Sequence, residues 1–304
     1  MPMTGMWRGT PLGAFAVGAL GAVVAGALLK GRPPGGVQRW TRQSHAGGPV
    51  TLFEGPAYAA GAVSGALAGG AGGPAAVAGL GAAAFGGLDD VAGDGSSKGL
   101  RGHLAAACRG EATTGAVKIV GLGVTGLLST RMIDRAGERP GTLATVVGGA
   151  VIAGSANIAN LLDLRPGRAL KVVLLVATSI VATSRGSRSS AGIAGAAAGA
   201  ASGAAIAVLP GDLAGRTMLG DTGANSAGAL LGTALVARAG LRGRLLALAV
   251  VTALTLASER VSFTAVIEST PGLRELDALG RPPGGLPQRP QSDSSQARQS
   301  DSSR

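Results

Sequence analysis

The sequence predicts an all-α fold: a polytopic integral membrane protein with about nine transmembrane helices, or ten. Three observations carry this. Of the 304 residues, 46% are hydrophobic and only 14% are charged, well below the roughly 25% charged share of a soluble domain, and the mean hydropathy is +0.36. Apolar runs near the length of about 20 residues that crosses a hydrocarbon core recur along the whole chain. The lysines and arginines fall mostly between those runs, so the net charge of +11 reads as membrane topology and not as a nucleic-acid footprint.

Taken in order, the runs fall near 11–29, 51–70, 73–88, 112–129, 142–159, 169–184, 190–209, 223–237 and 243–257. The first follows Arg8 and is nearer to spanning length than to a signal-peptide core, so it counts as a span. Only the Gly/Pro turn from Gly69 to Pro74 separates the second from the third. Gly65, Gly69 and Gly73 recur every four residues, the spacing at which small residues let membrane helices approach closely. Beyond Ser258 a polar, weakly amphipathic stretch runs to about Leu279. The division expected is a membrane domain over 1–279 and a Pro/Ser/Gln-rich tail over 280–304 that buries no core and is disordered. Cys108 is the single cysteine, which excludes a disulfide framework or a cysteine-based metal site.

With this count, the connections after the first, third, fifth and seventh runs share one membrane face with the tail. Most of the 27 lysines and arginines lie there, which makes that face cytoplasmic. The same connections carry the carboxylates. GLDDVAGDGSSKGLRGH holds Asp89, Asp90, Asp94, Lys98, Arg101 and His103; NIANLLDLRPGR holds Asn157, Asn160 and Asp163; MLGDTGANSAG holds Asp221. Taken singly, Asp89 and Asp90 read equally well as helix-end charges, Asn157 and Asn160 as interhelical hydrogen-bonders, and Asp221 as a turn residue. Their meeting on one side is harder to explain that way, because carboxylates near membrane depth are costly and tend to mark functional sites. Clustered Asp oxygens beside Lys and Arg suit magnesium-dependent phosphoryl chemistry. Mg²⁺ takes one or two carboxylates and completes its shell with water and substrate phosphates, and basic groups neutralise the leaving phosphate.

In this order, the segments resemble the polyprenyl-phosphate sugar-1-phosphate transferases, the superfamily that includes phospho-N-acetylmuramoyl-pentapeptide transferase. GLDD at Gly87–Asp90 with KGL at Lys98–Leu100 is similar to the family's paired-Asp loop, NIANLLD at Asn157–Asp163 to its Asn-x-x-Asn-x-x-Asp segment, and LGDTG at Leu219–Gly223 to its Gly-Asp-x-Gly segment. The resemblance implies attack of a polyprenyl phosphate on a UDP-sugar with release of UMP. It implies Mg²⁺ as cofactor with Asp221 and Asp90 as ligands; Asp89, Asp90 and Asp221 as the catalytic set; and Asn157, Asn160 and Asp163 on the nucleotide side. Lys98 and Arg101 are candidates for phosphate contacts. The expected partners are the membrane, a polyprenyl-phosphate lipid, a UDP-sugar and, as an open alternative to the monomer, a second copy of the chain; nucleic acid is not among them. The expected location is the bacterial inner membrane with the site facing the cytoplasm.

Two departures bear on the nucleotide end. Asp163 is followed by LRPG, so Pro166 stands where the family carries a second Asp. The expected His-rich loop is replaced by ERVSFTAVIESTPGLRELDALGR, in which Glu259, Arg260 and Glu268 are the available polar substitutes. A non-catalytic relative acting as scaffold, or a lipid carrier or transporter, is the alternative reading.

Overall fold

The computed structural model describes residues 10–44, 48–92, 113–136, 141–183 and 189–282. The expected contacts of Lys98 and Arg101, along with His103, Cys108 and nearly all of the 280–304 tail, lie outside the described residues.

The chain is an all-α membrane protein. Its helices are α1 (Pro11–Gly31), the short α2 (Val37–Trp40), α3 (Glu54–Ala68), α4 (Gly72–Ala92), α5 (Thr114–Ala136), α6 (Thr142–Leu162), α7 (Arg168–Thr183), α8 (Ser189–Leu213), α9 (Gly220–Arg238), α10 (Leu241–Ser258), α11 (Phe263–Ser269) and α12 (Leu273–Ala278). Among the described residues six helices are long and apolar enough to cross a membrane: α1, α4, α5, α6, the Gly192–Leu213 part of α8, and α10. α3 and α7 fall short of that length at 15 and 16 residues, and α9 carries Asp, Asn, Ser and Thr along its 19 residues.

The polarity of α9 has a structural cause. It packs against α4, α6, α8 and α3, and nearly all its residues are buried, so its side chains meet protein and not lipid. A helix enclosed in this way needs no apolar exterior of its own.

Small residues fill the interior and branched ones cover it. Ala194 to Ala205 of α8 supply a buried alanine stripe, while Leu20, Leu28, Val120, Leu128, Leu246 and Val250 point outward from α1, α5 and α10. This is membrane-helix packing, in which close backbone approach does the work that bulky cores do in water. A methyl on Gly65 would overlap the Ala14 carbonyl of α1, and one on Gly69 would meet Ala14 and Ala196. The four-residue glycine spacing thus serves contacts within the bundle.

One element departs from the helical expectation. The segment expected to begin a helix at residue 51 pairs instead: β1 (Thr41–Gln43) and β2 (Pro49–Thr51) form an antiparallel hairpin, with Thr41 opposite Thr51. Its outer edge continues to the α8–α9 connection, where the Thr51 N–H donates to the Arg216 carbonyl (3.2 Å) and the Met218 N–H donates to the Thr51 carbonyl (3.1 Å). Helix α3 therefore starts later, at Glu54.

Successive helices alternate in direction, so the connections gather at two ends. At one end, Asp134 of α5 pairs with Arg244 of α10 at 2.6 Å, and Arg244 also donates to the Ala144 carbonyl at the start of α6 (3.0 Å). The other end collects the hairpin, the end of α4, the α6–α7 turn and the α8–α9 turn. There α11 and α12 fold back over the α6–α7 turn. Arg165 pairs with Glu268 (2.9 Å) and Arg168 with Asp277 (2.7 Å), and Arg281 donates to the Pro166 carbonyl (2.9 Å). Burial works to raise the Asp277 pKa, but the Arg168 and Arg281 guanidinium groups outweigh it and hold the carboxyl below its ordinary value.

The Asp134–Arg244 pair is almost wholly buried. Asp134→Ala strands the guanidinium and is expected to cost about 3–5 kcal/mol, read as unfolding in SDS–detergent mixtures. Combining Asp134→Leu with Arg244→Met is expected to recover part of that loss, since the pair is then removed together.

Candidate functional site

The site is organised by the first turn of α9. A helix start leaves backbone N–H groups without intrahelical partners and carries partial positive charge. Two carboxylates from other helices meet that need. Asp90, in the last turn of α4, accepts from the N–H groups of Asp221 (3.0 Å) and Thr222 (2.9 Å) and from the Thr222 hydroxyl (2.6 Å). Asp163, capping α6, accepts from the Gly220 N–H (2.9 Å). Gly220 adopts φ +58°, where a side chain is strained, and a Cβ there would crowd both Asp90 oxygens. Gly86, one turn before Asp90, is equally constrained: a methyl on it would overlap the Asp221 carbonyl.

Each Asp90 oxygen is thus already engaged. The carboxylate that faces Asp221 across a shared cation is its neighbour, Asp89. Lys118 of α5 places its ammonium between them, 3.0 Å from Asp89 Oδ2 and in direct contact with Asp221 Oδ2. The three side chains are only 13–22% exposed. Asp90, expected with Asp221 as a Mg²⁺ ligand, thus accepts from the start of α9, while Asp89 shares the Lys118 ammonium with Asp221.

The Asp89–Asp221 pair fits Mg²⁺ as a two-carboxylate site. One cation already stands in contact with both, and a hard divalent ion bound to one or two carboxylates takes its other positions from water and phosphate oxygens. Among the described residues no group of three or more His, Cys, Asp or Glu side chains is arranged to hold a metal.

Two cavities are lined by residues that reach the site. The first, about 340 Å³, is a cleft between α5, α6 and α10, lined by Lys118, Asn157, Asn160, Ser258 and Glu259 with Ile119, Leu122 and Leu161 among its apolar residues. Asn157 and Asn160 lie three residues apart on one face of α6. Asp163, three further on, leaves that face because the helix ends at Leu162 and Asp163 has ψ 36°. Asn160 and Asp163, expected side by side on the nucleotide, therefore line different cavities.

The second cavity, about 200 Å³, is lined by Gln43, Ser44, Asp163, Arg165, Asp212 and Thr217, with Pro166 in its wall. Asp212 accepts from the Gly167 N–H (3.1 Å). Beside this cavity, Glu54 accepts from the Thr217 hydroxyl, while its second oxygen has no protein partner. Burial pushes the Asp163 carboxyl well above its ordinary range, and the nearby Asp212 charge adds to the rise against the Gly220 N–H.

Sequence reasoning placed Asp89, Asp90, Asp163 and Asp221 together and missed five contributors. Lys118 is a single cation inside the apolar run 112–129, which by itself forms no pattern. Arg42, which donates to the Asp90 carbonyl (2.6 Å), sat among other basic loop residues. Glu54 and Asp212 belong to no recognisable pattern; their one signal is a lone acid beside an apolar run. Asn225, fully buried one turn beyond Asp221 with neither amide atom hydrogen-bonded to protein, carried no signal at all.

No known family model matches this chain, and no curated protein matches it.

The raised Asp163 pKa means that the fold favours the neutral carboxyl. That stabilisation is complete below the unfolded value near 3.8 and is lost as pH rises through the folded value. Asp163→Asn keeps an acceptor for the Gly220 N–H without the charge. Melting of the detergent-solubilised protein is expected to show the variant gaining on the wild type as pH rises above the ordinary carboxylate range; a gap independent of pH contradicts this.

Proposed function

We propose that the protein is a membrane-embedded, Mg²⁺-dependent transferase of the polyprenyl-phosphate sugar-1-phosphate class. It acts at the cytoplasmic face of a bacterial inner membrane, and all nine long helices cross the bilayer, the shorter α3 and α7 and the polar α9 being sheltered by the other six. The observation that carries the reading is the Asp89–Asp221 pair sharing one cation at the start of α9, with Lys118 lining one cavity and Asp163 another.

In this reading the cleft between α5, α6 and α10 takes the phosphate end of a polyprenyl phosphate, with Leu122 and Leu161 toward the chain and Asn157 and Asn160 donating to phosphate oxygens. The cavity lined by Asp163, Asp212 and Arg165 takes the nucleotide end of a UDP-sugar. A phosphate oxygen of the lipid attacks the β-phosphorus of the donor, the bond from that phosphorus to the bridging oxygen breaks, and UMP leaves with the electron pair. The lipid phosphate is already ionised near neutral pH, so no side chain needs to remove a proton. Asp89 and Asp221 would hold Mg²⁺, which when bound supplies positive charge to the phosphates. The dipole at the start of α9 points the same way.

A second reading has its own support. Lys118 already satisfies both carboxylates, as in a structural ion cluster, and Pro166 occupies the position of the family's second Asp. A non-catalytic relative would look like this.

Purified protein in lipid, given undecaprenyl phosphate, Mg²⁺ and a panel of UDP-sugars, separates the two. UMP release with at least one donor is expected, falling about 100-fold or more in Asp89→Asn and Asp221→Asn while melting profiles stay cooperative. Silence with every donor favours the non-catalytic relative.

A further inference from the structure

We propose that Lys118 is a built-in competitor for the divalent ion, and that its displacement delivers its ammonium to the acceptor phosphate. The inference rests on the two-carboxylate site proposed above and concerns how that site is controlled.

The geometry is specific. Lys118 Nζ contacts Asp89 and Asp221 together, the position an ion bound by both would need. Two carboxylates drawn out of water repel each other unless a cation lies between them. Without a metal, the ammonium is that cation and keeps the ends of α4 and α9 together. When a doubly charged ion takes the position, the ammonium is expelled by like charge.

It has somewhere to go. Lys118 also lines the cleft between α5, α6 and α10, alongside Asn157 and Asn160, and its flexible four-carbon stem lets the charged head move while the backbone of α5 stays in place. Lys118 is thus a positioning residue with two stations. In the resting state it closes the acid pair; with the ion bound it faces the cleft where a phosphate binds. The consequence is ordered assembly, in which ion binding strengthens phosphate binding. The same swap lowers ion affinity, because every ion bound must first break the Lys118 contacts.

The test is Mn²⁺ binding to the purified full-length protein, followed by electron paramagnetic resonance. Lys118→Met and Lys118→Gln, both without the charge, are expected to bind Mn²⁺ about ten-fold tighter or more than wild type, while Lys118→Arg binds no tighter. Asp221→Asn is expected to abolish the signal, which assigns it to this site. A titration with dodecyl phosphate supplies the second arm: Mn²⁺ is expected to tighten its binding more in wild type than in Lys118→Met, where only the direct ion–phosphate attraction remains. Equal or weaker Mn²⁺ binding in both charge-free variants, with Asp221→Asn still abolishing the signal, overturns the competitor role and leaves the metal site standing. Absence of an Asp221-dependent Mn²⁺ signal in every variant overturns both.

Discussion

The start of α9 is the constraint on which the rest depends. Its free N–H groups lie inside a bundle, away from bulk water, where an unpaired donor is costly. Asp90 and Asp163 meet that need from the ends of two other helices, tying α4, α6 and α9 at one level of the membrane. Everything chemical follows from this clamp. With Asp90 committed to the helix start, adjacent Asp89 is carried round to face Asp221, and the acid pair forms beside the clamp. Gly86 and Gly220 are small because the clamp leaves no space for a side chain.

The bundle around the clamp is built for close approach. Alanine and glycine line the interior, and leucine and valine face outward. Such packing draws on backbone contact and van der Waals fit, since lipid offers no hydrophobic drive toward association. It also lets a polar helix sit at the centre. The Asp134–Arg244 pair at the far end and the Arg168–Asp277 strap at the near end fasten the two rims of the bundle.

Much of this was legible in the sequence, for physical reasons. Apolar runs near spanning length mark helices wherever they are long enough, and each of the nine runs coincides with a helix. Alternation of direction then follows from connectivity, which is why Asp89, Asp90, Asp163 and Asp221 could be assembled at one end. The rest required three dimensions. Strands of three residues carry no alternation to read, and the hairpin at 41–51 is held partly by Arg216 and Met218, far away in the chain. Asp89 and Asp90 are neighbours of identical chemistry, and only the register of α4 against α9 gives one to the clamp and the other to the cation. Lys118 carries no pattern in the sequence because its partners, Asp89 and Asp221, come from other helices. The separation of Asn160 from Asp163 turns on where α6 ends, a boundary that residue pattern leaves loose by several positions.

The central claim is that Asp89 and Asp221 face each other beside the clamp, at one end of the bundle. In a Cys108→Ser background, Asp89→Cys combined with Asp221→Cys and treated in native membranes with a short bifunctional thiol reagent tests it directly. Rapid cross-linking of this pair, with none between Asp134→Cys and Asp221→Cys, is the result expected. Failure of the 89–221 pair to link, or labelling of the two positions from opposite sides of the membrane, would contradict it.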